Sequence, residues 1–395
     1  MKIGMPQGRH RQVSPLELFF DLVFVLAISQ LTHHLVAHLT WRGATETLVM
    51  AIAVSGVWAF TTFEVTMLDI ARSATRAIVI SVMALGLFMN AGIANAFGDS
   101  PWLFVVPMLI ALTGPSVYAA ATAPTALLRR HFRHVLTWFA VSAPAWVVGS
   151  TLDPDSRLWW WAVAAFVDLI GVWTAHPIPG VSMNTQRRPF DSAHMLERVR
   201  LFLIILLGET VMTLGRSISE HHSDELTLLL ALGCFIALVC LWVVYFGRAE
   251  QLVEERISDD EDPIRSVHIG INITYGVVTG LVMFAAGIEI LLAHVHDPRS
   301  GIAGILMFAG PAIYLLSHAI YFHRDIGVGW LPRLVGATVL AVAAATAFWL
   351  PAYIVVTLLV AILVTLAGWF SRTMAHWESG SQDPAGSGSN QVLGR

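Results

Sequence analysis

Several carboxylates and guanidiniums fall inside stretches that are otherwise apolar. In ELFFDLVFVLAISQL, residues 17–31, Glu17 and Asp21 stand one helical turn apart. In LERVRLFLIILLGETVM, residues 196–212, Glu197 and Arg198 open an apolar run that leads to Glu209, and Arg216 follows seven residues later. A charged side chain at the centre of a bilayer costs about 2.5–3.5 kcal/mol even on the most lenient scale, so each needs a partner, water or a task. The chemistry open to such groups is proton relay, binding of a solute, or ion pairing between helices.

The candidates differ in how ordinary an explanation they allow. SPLE, residues 14–17, is a capping box: Ser14 caps, Pro15 takes the first helical position and Glu17 reaches back to the cap amide. The helix dipole also favours an acid there, so a structural role is the simpler reading of Glu17. Asp21 lies a turn deeper, beyond the cap. On a helical wheel Glu17, Asp21 and Thr32 form one polar stripe with Ser29 beside it, so the stripe points into a bundle. Pairing of Asp21 with an arginine and a role toward a proton or solute both stay open. Spacings of 11 and 7 put Arg198, Glu209 and Arg216 on one helix face. Seven residues rise about 10 Å, so the partner of Glu209 is expected from another span. Gly208 beside it permits close approach of a second backbone.

Secondary candidates are Glu64, Asp168 and Glu289, each within an expected span. Asn90, Asn95 and Asn272 are expected to join helices by hydrogen bonds. His33, His34 and His38 include an i, i+4 pair, but with no HExxH pattern or cysteine nearby neither a metal nor another cofactor is expected. Cys234 and Cys240 fall on different faces of one apolar segment and form no disulfide framework. No phosphate-cradling glycine motif, nucleophile elbow or aromatic-basic surface is present, which argues against nucleotide chemistry, acyl transfer and nucleic-acid binding.

The elements that must position these groups follow from composition. Of 395 residues 13% are charged and 56% hydrophobic, where a soluble domain carries about 25% charged residues. The mean hydropathy is +0.68. The fold class is therefore all-α, a polytopic membrane protein whose first partner is the lipid bilayer. Hydropathy and helix breakers place about twelve transmembrane helices at 16–39, 44–68, 75–97, 101–123, 132–150, 157–176, 193–216, 225–247, 267–293, 302–323, 332–349 and 351–374. The first is read as a retained helix rather than a cleaved signal, because its apolar run holds two acids. With the N-terminus inside, inner segments hold 19 of the 23 Lys and Arg residues and outer segments hold 4, which puts both termini in the cytoplasm. Trp159, Trp160 and Trp161 after an outer turn suit an interfacial aromatic belt.

The chain also looks duplicated. LELFFDLVFVLAISQL and LERVRLFLIILLGETVMTL both open with Leu-Glu and turn polar about twelve residues on. Trp58 and Trp242 occupy similar places, as do Pro107 and Pro311. Six spans per half give both halves one orientation, the parallel kind of repeat that many transporters use. The expected organisation is a cytoplasmic N-terminus (1–15), a first six-helix half (16–176), a cytoplasmic linker (177–192), a second half (193–374) and a disordered cytoplasmic tail (375–395).

SPLELFFDLVFVLAISQLTHHL resembles the signature of the bacterial low-temperature-requirement A (LtrA) family. HMLERVRLFLIILLGETVM, residues 194–212, resembles that family's second hallmark, an acid-Arg pair followed by Leu-Gly-Glu-Thr/Ser. Matching positions are Glu17, Phe19, Phe20, Asp21, Glu197, Arg198, Gly208, Glu209 and Thr210. The resemblance implies a multi-pass protein of the bacterial cytoplasmic membrane, from a family named for a growth phenotype in the cold and not for an activity. Three functions fit the residues: a proton-coupled transporter of a small solute, a structural or accessory subunit, and an intramembrane enzyme acting on a lipid. On the transporter reading Asp21 and Glu209 line one central polar site between the halves.

Overall fold

The computed structural model describes residues 13–68, 72–123, 125–174, 192–220, 224–246 and 263–381. They form twelve α-helices: α1 Pro15–Ala37, α2 Trp41–Met67, α3 Ser73–Gly92, α4 Pro101–Thr122, α5 Ala126–Thr151, α6 Pro154–Trp173, α7 Ser192–Glu220, α8 Glu225–Phe246, α9 Pro263–Ala293, α10 Gly301–Tyr321, α11 Trp330–Ala347 and α12 Ala352–Ser381. No strand occurs among the described residues. Each helix covers an expected span, most ends agreeing within a few residues. The tail differs: α12 continues to Ser381 where a span ending at 374 was expected. Residues 382–395, most of the 177–192 linker and most of the 248–266 loop lie outside the described residues.

Helix starts follow local chemistry. The Ser14 amide and hydroxyl each donate to Glu17 at 2.8 Å, and the Glu17 amide donates back to Ser14 Oγ at 3.3 Å, the full capping box. Thr40, Thr125 and Asp153 cap α2, α5 and α6 in the same manner. Proline opens α1, α4 and α6, where its missing amide costs nothing.

Ten helices are long and apolar enough to cross a membrane. The other two are α5, whose first turns hold Arg129, Arg130, His131, Arg133 and His134, and α6, with its tryptophan triplet and Asp168. They are consecutive and pack on each other.

Neighbour relations repeat. Within 15–173 the first helix packs on the third, the second on the sixth, and the third to sixth pack in sequence; within 192–381 the same pairs recur. Pro107 and Pro311 each sit inside the fourth helix of their set. The sets meet where α1 touches α7 and α9, and where α2 touches α9. The α9–α10 crossing is so close that a Cβ on Gly280 would stand 2.7 Å from the Gly310 carbonyl oxygen, the small-residue contact that lets membrane helices pack without a hydrophobic driving force.

Candidate site at the α1–α7 interface

Two acid–base pairs join α1 to α7 like rungs. Glu17 Oε1 meets His194 Nε2 at 2.9 Å, and Asp21 Oδ1 accepts from an Arg198 terminal nitrogen at 2.9 Å. Both pairs span 177 residues. An equal offset on two successive turns means that α1 and α7 run in the same direction, in register. His194 and Arg198 thus match the i, i+4 spacing of Glu17 and Asp21.

The inner pair is sealed. Side-chain exposure is 0% for Asp21 and 1% for Arg198. Trp58 of α2 donates its indole N–H to the same Asp21 oxygen at 2.8 Å and stacks on Phe202 of α7, ring centres 4.1 Å apart. The Arg198 guanidinium lies 5.4 Å from the Phe20 ring centre. Asp21 Oδ2 and Arg198 Nε have no partner among the described residues. A buried pair of this kind holds position because either charge alone would be strongly disfavoured.

Nearer the other end, five polar groups from α1, α7 and α9 gather around a more open gap. Arg216 lies 3.7 Å from Glu209 Oε1, an ion-pair distance but too long for a hydrogen bond. Ser29 Oγ lies 3.4 Å from Arg216. Arg216 also meets His33 Nε2 at 2.6 Å. A guanidinium only donates, so Nε2 accepts and the ring proton sits on Nδ1, facing Glu289 Oε1 at 3.6 Å. Side-chain exposure is 14% for Glu209, 37% for Arg216, 41% for His33 and 24% for Glu289. Two carboxylates, an imidazole and a guanidinium, loosely paired and reachable, can bind a small charged or zwitterionic solute or pass a proton; the inner rungs offer no such room.

Two expectations need correction. Arg216 does reach Glu209 within one helix. The rise of about 10 Å separates the Cα atoms only, and the two long side chains lean toward each other. Asp21 and Glu209 do not share one site: Asp21 belongs to the sealed rung with Arg198, and eleven residues, about 16 Å of helix, separate Arg198 from Glu209. Glu197 is half-buried and makes no polar contact among the described residues. The likeness of Trp242 to Trp58 also stops at position, since Trp242 is exposed and stacks on Phe246.

The remaining candidates disperse. Glu64 takes the hydroxyl of Ser116 on α4. Asp168 accepts from the Trp146 indole at 3.0 Å, Glu289 joins the open cluster, and Asn90 ties α3 to the Val23 carbonyl of α1 at 2.8 Å. The three histidines go to separate partners: His33 to Arg216, His34 to Glu46 at 3.1 Å and His38 to the His34 carbonyl at 3.0 Å. Arg42 bonds Glu46 at 2.8 Å and also pairs with Asp155, joining the starts of α2 and α6. Sequence reasoning passed over His194, Ser116 and Arg333. Arg333 of α11 is fully buried, donates to the Gly329 and Val244 carbonyls at 2.7 and 2.6 Å, and lies over Phe322 and Phe370 at 3.6 and 4.3 Å.

These features define a polytopic all-α membrane protein with a polar seam inside its helix bundle. The chain belongs to the bacterial low temperature requirement A (LtrA) family, whose model matches residues 12–368. It is similar to an uncharacterized protein of Rhizobium meliloti (strain 1021), 28% identical over 306 residues, which are 76% of this chain and 74% of that one. The two segments that carry the family resemblance are the two sides of the seam, α1 and α7.

Proposed function

We propose that this chain is a proton-coupled transporter of a small charged or zwitterionic solute, bound where Glu209, Arg216, His33 and Glu289 converge. One observation carries the reading: in the described residues this is the place where loosely paired, part-exposed charges of both signs meet from three helices inside the bundle. Intramembrane ionisable groups facing a gap mark solute and proton pathways by default. The repeated neighbour pattern supports two halves of six helices in parallel, an arrangement transporters use with the site between repeats. We place the protein in the bacterial cytoplasmic membrane with both termini inside, on the excess of basic residues in alternate loops.

The sealed rungs favour a second role at the same seam. They hold α1 against α7, so part of the polar stripe is structural, and an accessory subunit without transport would need nothing more.

The two readings separate in a ligand screen. Purified wild type and Glu209→Gln are melted against amino acids, carboxylic acids and polyamines. The transporter reading predicts a compound that raises the melting temperature of wild type by several degrees and leaves the variant unmoved. A variant that melts lower while no compound shifts either protein would support the structural reading.

A further inference from the structure

Glu64 poses a problem that the seam does not absorb. It lies on α2, the most enclosed of the spanning helices, and is 2% exposed. Its Oε1 takes the hydroxyl of Ser116, and Oε2 has no partner among the described residues. Other deeply buried acids have cations: Glu17 has His194, Asp21 has Arg198, and Glu46 has His34 and Arg42. Glu64 has none among the described residues.

The surroundings supply no distant substitute. α4, which brings Ser116, holds no charged residue. On α2 itself Arg42 and Glu46 lie at least eighteen residues away, about 27 Å of helix. Glu17 and Asp21 on α1, and His194 and Arg198 on α7, bond one another. On α3, Arg76 is exposed. On α5, His131 stands against Phe63, ring centres 5.8 Å apart. On α6, Asp168 is bonded to Trp146, and on α9 Glu289 faces His33. A bare carboxylate charge in such an interior is costly enough that the group is neutralised instead.

We propose that Glu64 is a proton-binding site: it carries an exchangeable proton on Oε2 while Ser116 donates to Oε1. Release passes that proton to water, directly or through a hydroxyl that gives up its own proton in exchange, and leaves the carboxylate accepting from the Ser116 O–H. On α2 the hydroxyls of Ser55, Thr61 and Thr62 are buried and without a partner among the described residues. Thr61 is on the same helix face as Glu64, one turn earlier. Next to Ser116, Pro115 has no amide to give the Ala111 carbonyl, so α4 lacks one backbone hydrogen bond beside the Glu64–Ser116 contact. That this proton drives solute movement rests on the transporter reading; that it is present and exchanges does not.

Infrared difference spectroscopy of the full chain in an ester-free detergent reads the proton directly. At neutral pH the wild type should show a carboxylic-acid C=O band that Glu64→Gln lacks, and the band should shift in heavy water. Ser116→Ala should keep the band but move it to higher frequency, because the carbonyl loses its hydrogen bond. If Glu64→Gln removes no such band, the acid is ionised and the proposal fails. It fails equally if the band ignores heavy water, or if Ser116→Ala leaves it in place. Glu64→Gln keeps size and neutrality; were it to misfold, Ser116→Ala and the solvent exchange still decide. None of these outcomes depends on flux.

Discussion

Replacing Arg198 by leucine is expected to destabilise the protein by about 3–5 kcal/mol, since it strips the buried Asp21 carboxyl of its cation and leaves it to be held as a lone charge or neutralised at a cost. The Trp58 indole would remain as the sole donor to that carboxylate. The expectation is asymmetric. Asp21→Asn combined with Arg198→Met removes both charges and keeps most of the volume, so it should recover most of the loss, because buried ion pairs exchanged for neutral groups are often tolerated. Equilibrium unfolding in detergent gives both values. A single Arg198→Leu within 1 kcal/mol of wild type would mean that water or another group already serves Asp21.

Arg333 leads to a second large effect by a different cause. It is a fully buried guanidinium with no carboxylate partner among the described residues, held between two phenyl rings and two backbone carbonyls. Arg333→Ala should cost on the order of 3–5 kcal/mol, the range for removing a large buried side chain and leaving a cavity. Arg333→Met fills that space and should cost less than half as much, because the charge itself has no partner to lose. If methionine proves as damaging as alanine, the two carbonyl bonds outweigh the packing. Arg333→Lys tests the flat shape: lysine cannot lie between two rings as guanidinium does, so it should behave worse than methionine.

Much of the helix layout could be read from residue types, because a bilayer demands long apolar runs and backbone bonding within each segment. SPLE announced the start of α1, and the capping box is present in full. What pattern alone could not supply was which helix faces which. The signal existed: acids at 17 and 21 and bases at 194 and 198 share one spacing, and two such pairs can bond in a single parallel register. Nothing in either segment alone marks the other as its neighbour. Arg216 was misjudged because a rise per residue measures backbone, while side chains several ångströms long close the remaining gap. Trp242 misled for a related reason: a similar place in the sequence does not fix which way a side chain faces, and Trp58 is buried while Trp242 is exposed.

The electrostatic arrangement divides the polar residues by depth and access. The rungs of Glu17 with His194 and Asp21 with Arg198 are closed and fix α1 on α7. The cluster of Glu209, Arg216, His33 and Glu289 is open enough to exchange one partner for another, which is what binding a solute between the halves requires. Glu64 stands apart from both, with a hydroxyl in place of a counter-charge.

Solute-driven proton movement in proteoliposomes tests the central claim most directly. Vesicles containing the protein and a trapped pH-sensitive dye receive, in turn, pools of amino acids, carboxylic acids and polyamines. The account predicts that at least one pool changes the internal pH beyond empty vesicles, and that Glu209→Gln, folded and inserted, abolishes the change. If every pool leaves wild-type vesicles like empty ones, or if Glu209→Gln responds as wild type does, the α1–α7 seam is not a transport site.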